Sequence, residues 1–179
     1  MPDIRRSKRL SFWLRHAPDA AAVTLDQAGW AATDAILSAL ENAGLPTTLS
    51  ELEALVAGSD KQRFELSASS SRIRARQGHS VAVQGDWPLA APPDLLFHGT
   101  ADRFLASILE RGLLPGARHH VHLSATIEIA RAVGGRKGRS VVLLVAASKM
   151  AKDGFEFRLS SNGVWLVEHV PPTYLERLQ

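Results

Sequence analysis

The stretch Trp87-Pro88-Leu89-Ala90-Ala91-Pro92-Pro93 constrains the fold of this chain more than any other. Three prolines in six residues cannot continue a helix or sit in a central strand, because each lacks an amide donor and fixes φ. The expectation is two lobes, 1–86 and 94–179, joined by a stiff extended connector at 87–93. Charge divides at the same place. Residues 1–92 carry 10 basic and 10 acidic side chains and residues 93–179 carry 11 and 8, so the formal net charge of +3 comes from the second half.

In the first half, Ile4–Arg15 reads as a helix ending near His16-Ala17-Pro18, with apolar Leu10, Phe12, Trp13 and Leu14. Thr33-Asp34 reads as the cap of a second helix that stops before Gly44-Leu45-Pro46. Ser50 reads as the start of a third, with Glu53 at the capping-box position. Short alternating segments follow at Arg63–Leu66, Arg72–Arg76 and Ser80–Val83. Three helices and a hairpin suggest a winged-helix-like lobe. The second half mixes strands (Leu95–Phe97, His120–Leu123, Ser140–Ala147, Gly163–Val167) with helices (Phe104–Arg111, Thr126–Val133), an α+β pattern.

Several function classes drop out. The chain has no cysteine, which removes disulfides, thiolate nucleophiles and Cys-type zinc sites. No apolar run approaches the ~18–20 residues of a membrane span, and the basic N-terminus lacks the apolar core of a signal peptide. A cytoplasmic protein with no membrane partner is expected, a monomer since no obligate partner is suggested. Neither a GxGxxG fingerprint nor a GxxxxGK[ST] loop is present. Gly134-Gly135-Arg136-Lys137-Gly138 could approach a phosphate, but such loops are common turns. His120 and His122 would share a strand face, yet no acidic residue or third ligand stands near them, so no metal is expected.

Arginine is the distinctive residue: 16 of 21 basic side chains are Arg. Its planar fork binds phosphate in a bidentate manner that Lys cannot match. Arg15 abuts His16 at a helix end, Arg63 opens a strand, and Arg118 precedes His119-His120-Val121-His122-Leu123. Arg72, Arg74 and Arg76 alternate along one strand face leading to Gln77-Gly78-His79-Ser80. A lone Arg is most often a solvated surface charge and an Arg excess also follows from a GC-rich genome, but element ends line clefts, so Arg–His pairs placed there are harder to dismiss.

Seven ordered motifs then carry a resemblance. They are Leu14-Arg15-His16-x-Pro18, Asp26-x-x-Gly29-Trp30, Asp60-Lys61-Gln62-Arg63-Phe64, Ile73-Arg74-Ala75-x-Gln77-Gly78-His79-Ser80, His98-Gly99-Thr100, Arg118-x-His120-Val121-His122-Leu123-Ser124 and Asn162-Gly163-Val164-Trp165-Leu166. Together they resemble the NAD-dependent RNA 2′-phosphotransferase family (KptA-type). The resemblance implies an N-terminal winged-helix-like RNA lobe and a C-terminal ADP-ribosyltransferase-like lobe, with the active site in the cleft between them. It implies transfer of an internal RNA 2′-phosphate to NAD through an ADP-ribosylated intermediate, giving 2′-OH RNA, nicotinamide and ADP-ribose 1″,2″-cyclic phosphate, as in tRNA splicing. The partners implied are 2′-phosphorylated RNA and NAD as co-substrate. By motif, the catalytic set would be Arg15, His16, Arg63 and Arg118. His98, Gly99, Thr100, His120, His122, Ser124 and Arg136 would line the NAD site, and Arg72, Arg74, Arg76 and His79 would contact RNA. Phe97 stands where many relatives carry Tyr.

That set suits the chemistry. A phosphomonoester is largely dianionic at neutral pH and needs screening more than a general base. Histidine ordinarily titrates near neutrality, so His16 is the candidate for proton transfer, and Arg63 and Arg118 for holding charge on the phosphoryl oxygens. Two alternatives stay open: an ADP-ribosyltransferase acting on nucleic-acid phosphate ends, and a non-catalytic winged-helix module.

Overall fold

The computed structural model describes residues 2–59, 62–83 and 85–178 and divides the chain into two compact units, Met1–Asp86 and Trp87–Gln179. It is a mixed α and β protein with six α-helices and nine short strands among the described residues. None of those helices is long and apolar enough to cross a membrane.

In unit 1, Leu10, Trp13 and Leu14 recur at helical spacing and form the buried stripe of α1 (Pro2–Arg15). They pack with Ile36 and Leu40 of α2 (Thr33–Asn42), Leu52 of α3 (Leu49–Ala57), and Phe64 and Ile73 of the sheet. Burying a leucine this completely is worth roughly 1.5–3 kcal/mol, which fixes how α1 sits on the sheet. The sheet has three antiparallel strands in the order β1 (Trp30–Ala32), β3 (Arg72–Ala75), β2 (Phe64–Leu66). β1 was not foreseen, and Ser80–Val83 forms no strand.

Both helix starts differ from expectation. α3 is capped by Thr48, whose side chain accepts from the Glu51 amide while Glu51 accepts from the Thr48 amide at 2.8 Å. Thr48 has the extended backbone a cap needs, and Ser50 already lies inside the helix. Glu53 instead accepts from the Ser70 hydroxyl at 2.6 Å. α2 follows directly on β1 from Ala32 and has no side-chain cap; Thr33 is its first residue and bonds the Ser71 carbonyl through its amide.

Unit 2 contains two three-stranded antiparallel sheets. One has the order β4 (Leu96–Ala101), β6 (Ser140–Val145), β9 (Leu175–Arg177); the other has β5 (Val121–Leu123), β8 (Trp165–Val167), β7 (Arg158–Leu159). They meet at one bridge, where Phe97 and Ser124 exchange amide–carbonyl bonds of 2.9 and 2.8 Å. The helices are α4 (Leu105–Arg111), α5 (Ile127–Gly134) and α6 (Ala147–Lys152), and Thr126, expected inside the helix, is instead the cap of α5. α6 and the short strands β7 and β9 were not foreseen. Leu96, Leu143, Met150, Phe157 and Leu123 centre the core. The proline-rich segment is no free strap: Ala90 bonds Phe157, Leu159 bonds Pro88, and Arg158 donates to the Trp87 carbonyl at 3.1 Å.

Candidate active site

α1 delivers two of the catalytic candidates at its C-terminal end. The amides of His16 and Ala17 both bond the Phe12 carbonyl, which stops the helix and turns the His16 ring outward. His16 Nδ1 lies 2.9 Å from the Ser80 hydroxyl. The Ser80 amide bonds the Arg15 carbonyl at 2.8 Å, and its hydroxyl donates to the same carbonyl at 3.4 Å. When the Ser80 hydroxyl oxygen accepts from Nδ1–H, the imidazole keeps an unprotonated Nε2.

Arg63 joins this pair. Its carbonyl accepts from Arg15 Nη2 at 3.5 Å. It follows Gln62, whose φ of +40° lies in the left-handed region that non-glycine residues rarely adopt. The Gln62 amide bonds the Ser59 carbonyl at 2.8 Å, and the strained residue sets the entry of Arg63 into β2. Asp60 and Lys61 of the same motif lie outside the described residues. Arg15, His16, Arg63 and Ser80 thus gather within unit 1.

Arg72 and Arg74 of β3 and Arg76 just after it share a face, and that face is already neutralised in part. Arg74 is cross-strand from Trp30 and Glu65. Its guanidinium lies 4.4 Å from the Trp30 ring centre, donates to Glu65 and to the Ala28 carbonyl, and pairs with Asp86 at 2.6 Å. Arg76 pairs with Glu65 at 3.2 Å. Arg72 is the open member, 54% exposed and 3.6 Å from Asp26. His79 is 2% exposed, so it does not present itself to a large ligand. It lies under Gly29, where a Cβ would come within 3.1 Å of its Nε2 and where φ is +83°. The Asp26 carboxylate closes that turn by accepting from the Ala28 and Trp30 amides. The Asp26-x-x-Gly29-Trp30 motif therefore packs His79 and so holds the chain that presents Ser80.

In unit 2, β4 and β5 place His98 beside His122. His98 Nδ1 lies 3.1 Å from the His122 carbonyl. A carbonyl only accepts, so Nδ1 carries the proton and Nε2 keeps its lone pair. Burial pushes the His98 imidazole below the ordinary 6.5, against the opposing pull of that hydrogen bond. Arg118 donates to His122 Nδ1 at 3.3 Å, linking the guanidinium to the same strand. His120, His122 and Ser124 alternate with buried Val121 and Leu123, so they share the opposite face. His120 meets the edge of Trp87 at 5.7 Å, and burial, then Arg158 and His119, hold it below the ordinary value.

Gly99 and Thr100 have a packing task. A Cβ on Gly99 would fall 1.6 Å from the Ala130 carbonyl oxygen, and one on Gly134 would fall 2.7 Å from the Thr100 carbonyl oxygen. The two glycines let α5 lie directly on β4, and Thr100 is buried beneath it. Arg136 is exposed in the turn after α5. Among the described residues no group of three or more His, Asp and Glu side chains could hold a metal ion.

Reasoning from sequence missed Ser80 as the partner of His16, and Glu65 and Asp86 as the partners of Arg74. Ser80 was legible as the last residue of the Gln77-Gly78-His79-Ser80 run; the two acids required the strand register.

Comparisons with known proteins place the chain in a family. The family model described as "RNA 2'-phosphotransferase, Tpt1 / KptA family" matches residues 1–169. A protein of Agrobacterium fabrum is 52% identical over 169 residues, covering 94% of this chain and 91% of its own. One of Pseudomonas fluorescens is 50% identical over 173 residues, covering 96% and 95%. One of Burkholderia pseudomallei is 47% identical over 172 residues, covering 96% and 94%. All three bear the name "Probable RNA 2'-phosphotransferase". With the match running through every motif from Arg15 to Trp165, the chain belongs to the RNA 2′-phosphotransferase, Tpt1 / KptA family.

Proposed function

We propose that this chain removes an internal 2′-phosphate from RNA by transferring it to NAD, releasing 2′-OH RNA, nicotinamide and ADP-ribose 1″,2″-cyclic phosphate. The observation that carries this reading is the gathering of Arg15, His16, Ser80 and Arg63 at the end of α1, in a chain of this family. Unit 1, with three helices and a small sheet, acts as a winged-helix-like RNA lobe. Unit 2 acts as an ADP-ribosyltransferase-like lobe. The protein works as a cytoplasmic monomer.

The residues of unit 2 fit NAD. The Nε2 of neutral His98 accepts from a ribose hydroxyl, Ser124 and His122 stand on the strand beside it, and Arg118 and Arg136 answer a diphosphate. Gly99 and Thr100 serve that site by seating α5. When bound, NAD supplies an anomeric carbon from which nicotinamide departs as a neutral base, and a ribose hydroxyl that can attack phosphorus.

Arg15 and Arg63 hold the dianionic RNA phosphate and screen it, a task for fixed cations rather than for a general base. His16, oriented by Ser80, takes the proton of the attacking hydroxyl at Nε2 and returns it to the departing RNA 2′-oxygen. Arg63 and Arg118 stabilise the charge that gathers on the phosphoryl oxygens when the RNA–phosphate bond breaks. Arg72 offers a contact to flanking phosphates, and Arg74 and Arg76 keep its strand face in order.

The test is nicotinamide release measured with three RNAs. Release with 2′-phosphorylated RNA, and none with its 2′-OH or 5′-phosphorylated counterparts, is expected. Equal release with the 5′-phosphorylated strand would refute the assignment and favour ADP-ribosylation of nucleic-acid ends.

A further inference from the structure

The end of α1 is also the end of a groove. An open cleft of about 1010 Å³ runs within unit 1 between α1 and α3, from Ile4 to His16 and Arg63. Among the described residues its walls carry Arg6, Lys8 and Arg63 against a single acid, Glu51. Glu51 is engaged: it accepts from the Thr48 amide, lies 3.6 Å from Arg6, and is held below the ordinary carboxylate value chiefly by that amide. The groove is therefore cationic.

Its floor is aromatic. Phe12 is 45% exposed, although Leu10, Trp13 and Leu14 around it are buried, so Phe12 adds nothing to the core that its exposure would explain. Lys8 and Phe12, four residues apart, share one face of α1 about 6 Å apart along its axis, and His16 follows just past the helix end. Lys8 and Phe12 also border a second hollow of about 310 Å³ that carries Arg5 and Arg9. On the opposite wall, the Ser59 hydroxyl oxygen is buried with no hydrogen-bond partner among the described residues.

Resting on the function proposed above, we infer that this groove receives single-stranded RNA flanking the 2′-phosphate. Phe12 stacks under the neighbouring base, Lys8 meets its phosphate, and Ser11 bonds the sugar–phosphate backbone. The occupant is single-stranded, because a stacking platform needs a base with a free face. It is read without sequence preference, since every base has such a face.

The experiment measures equilibrium binding by the full chain of a six-nucleotide RNA with one internal 2′-phosphate, and of adenosine 2′-monophosphate, which has no flank. Phe12→Ala is expected to weaken binding of the hexanucleotide by roughly 5- to 150-fold and that of the mononucleotide by less than about twofold. Phe12→Tyr restores hexanucleotide binding and Phe12→Leu does not, which separates stacking from packing. Equal weakening of both ligands, unchanged hexanucleotide binding by Phe12→Ala, or rescue by Leu would each overturn the groove assignment. Tight hexanucleotide binding by the native chain without product in the presence of NAD would leave the groove standing and sink the reaction.

Discussion

Gly99→Ala tests the packing of α5 on β4. An ideal Cβ there falls 1.6 Å from the Ala130 carbonyl oxygen, 2.5 Å from its carbon and 2.9 Å from the Gly134 nitrogen. Ordinary contact begins near 3.4 Å, so α5 must retreat by about 1.8 Å or β4 must bend. Overpacking costs ~1–3 kcal/mol where side chains can give way. Here the obstruction is backbone on α5, which sets the cost at the top of that range, about 3 kcal/mol. For a chain of this size that lowers Tm by roughly 6–12 °C. The assay is calorimetry of the purified variant, with Gly134→Ala, whose nearest obstruction is 2.7 Å away, as a milder companion. A Tm within about 2 °C of the native protein would refute the close seating of α5 on β4. Loss of activity at native Tm would return Gly99 to a direct role in binding.

Three further outcomes follow from the site. Ser80→Ala removes the hydroxyl that orients His16, a neutral hydrogen bond worth ~0.5–1.5 kcal/mol. Steady-state kinetics should show kcat down by about 2- to 12-fold with little change in Tm, and an unchanged kcat would end the tautomer role. Arg63→Ala should slow the second step most, so that gel analysis finds RNA carrying ADP-ribose; equal loss of both steps contradicts the division of labour. His98 and His120 are both held below the ordinary 6.5, first by burial, so the unfolded chain binds protons that the folded chain refuses. Stability is therefore fully present above about pH 6.5 and is lost as the pH falls below it. His98→Gln should flatten that acid limb in urea titrations, and an identical limb would exclude His98 as its source.

Much of this was legible beforehand because local rules governed it. The Leu10/Trp13/Leu14 stripe needed only helical periodicity. The α3 cap slipped by two residues because two Ser/Thr–Glu pairs compete, Thr48 with Glu51 and Ser50 with Glu53. Only the backbone decides between them. β1, β7 and β9 are two or three residues long and owe their existence to a partner strand, which no window of sequence contains. The site divides in the same way. Arg15, His16 and Arg63 were readable from residue chemistry at element ends. The burial of His79 and the pairing of Arg74 with Glu65 and Asp86 depend on register and on the turn at Gly29. Arginine count alone would have treated Arg72, Arg74 and Arg76 as equals, whereas only Arg72 stands clear of the Glu65 network.

The central claim is the fate of the phosphate. Incubating the full chain with NAD and an RNA labelled at its internal 2′-phosphate, then separating the products, reads that fate directly. Label in ADP-ribose 1″,2″-cyclic phosphate, with an equal amount of 2′-OH RNA, is the result this account predicts. Label remaining on RNA, whether as the untouched 2′-phosphate or as a stable ADP-ribose adduct, would contradict it.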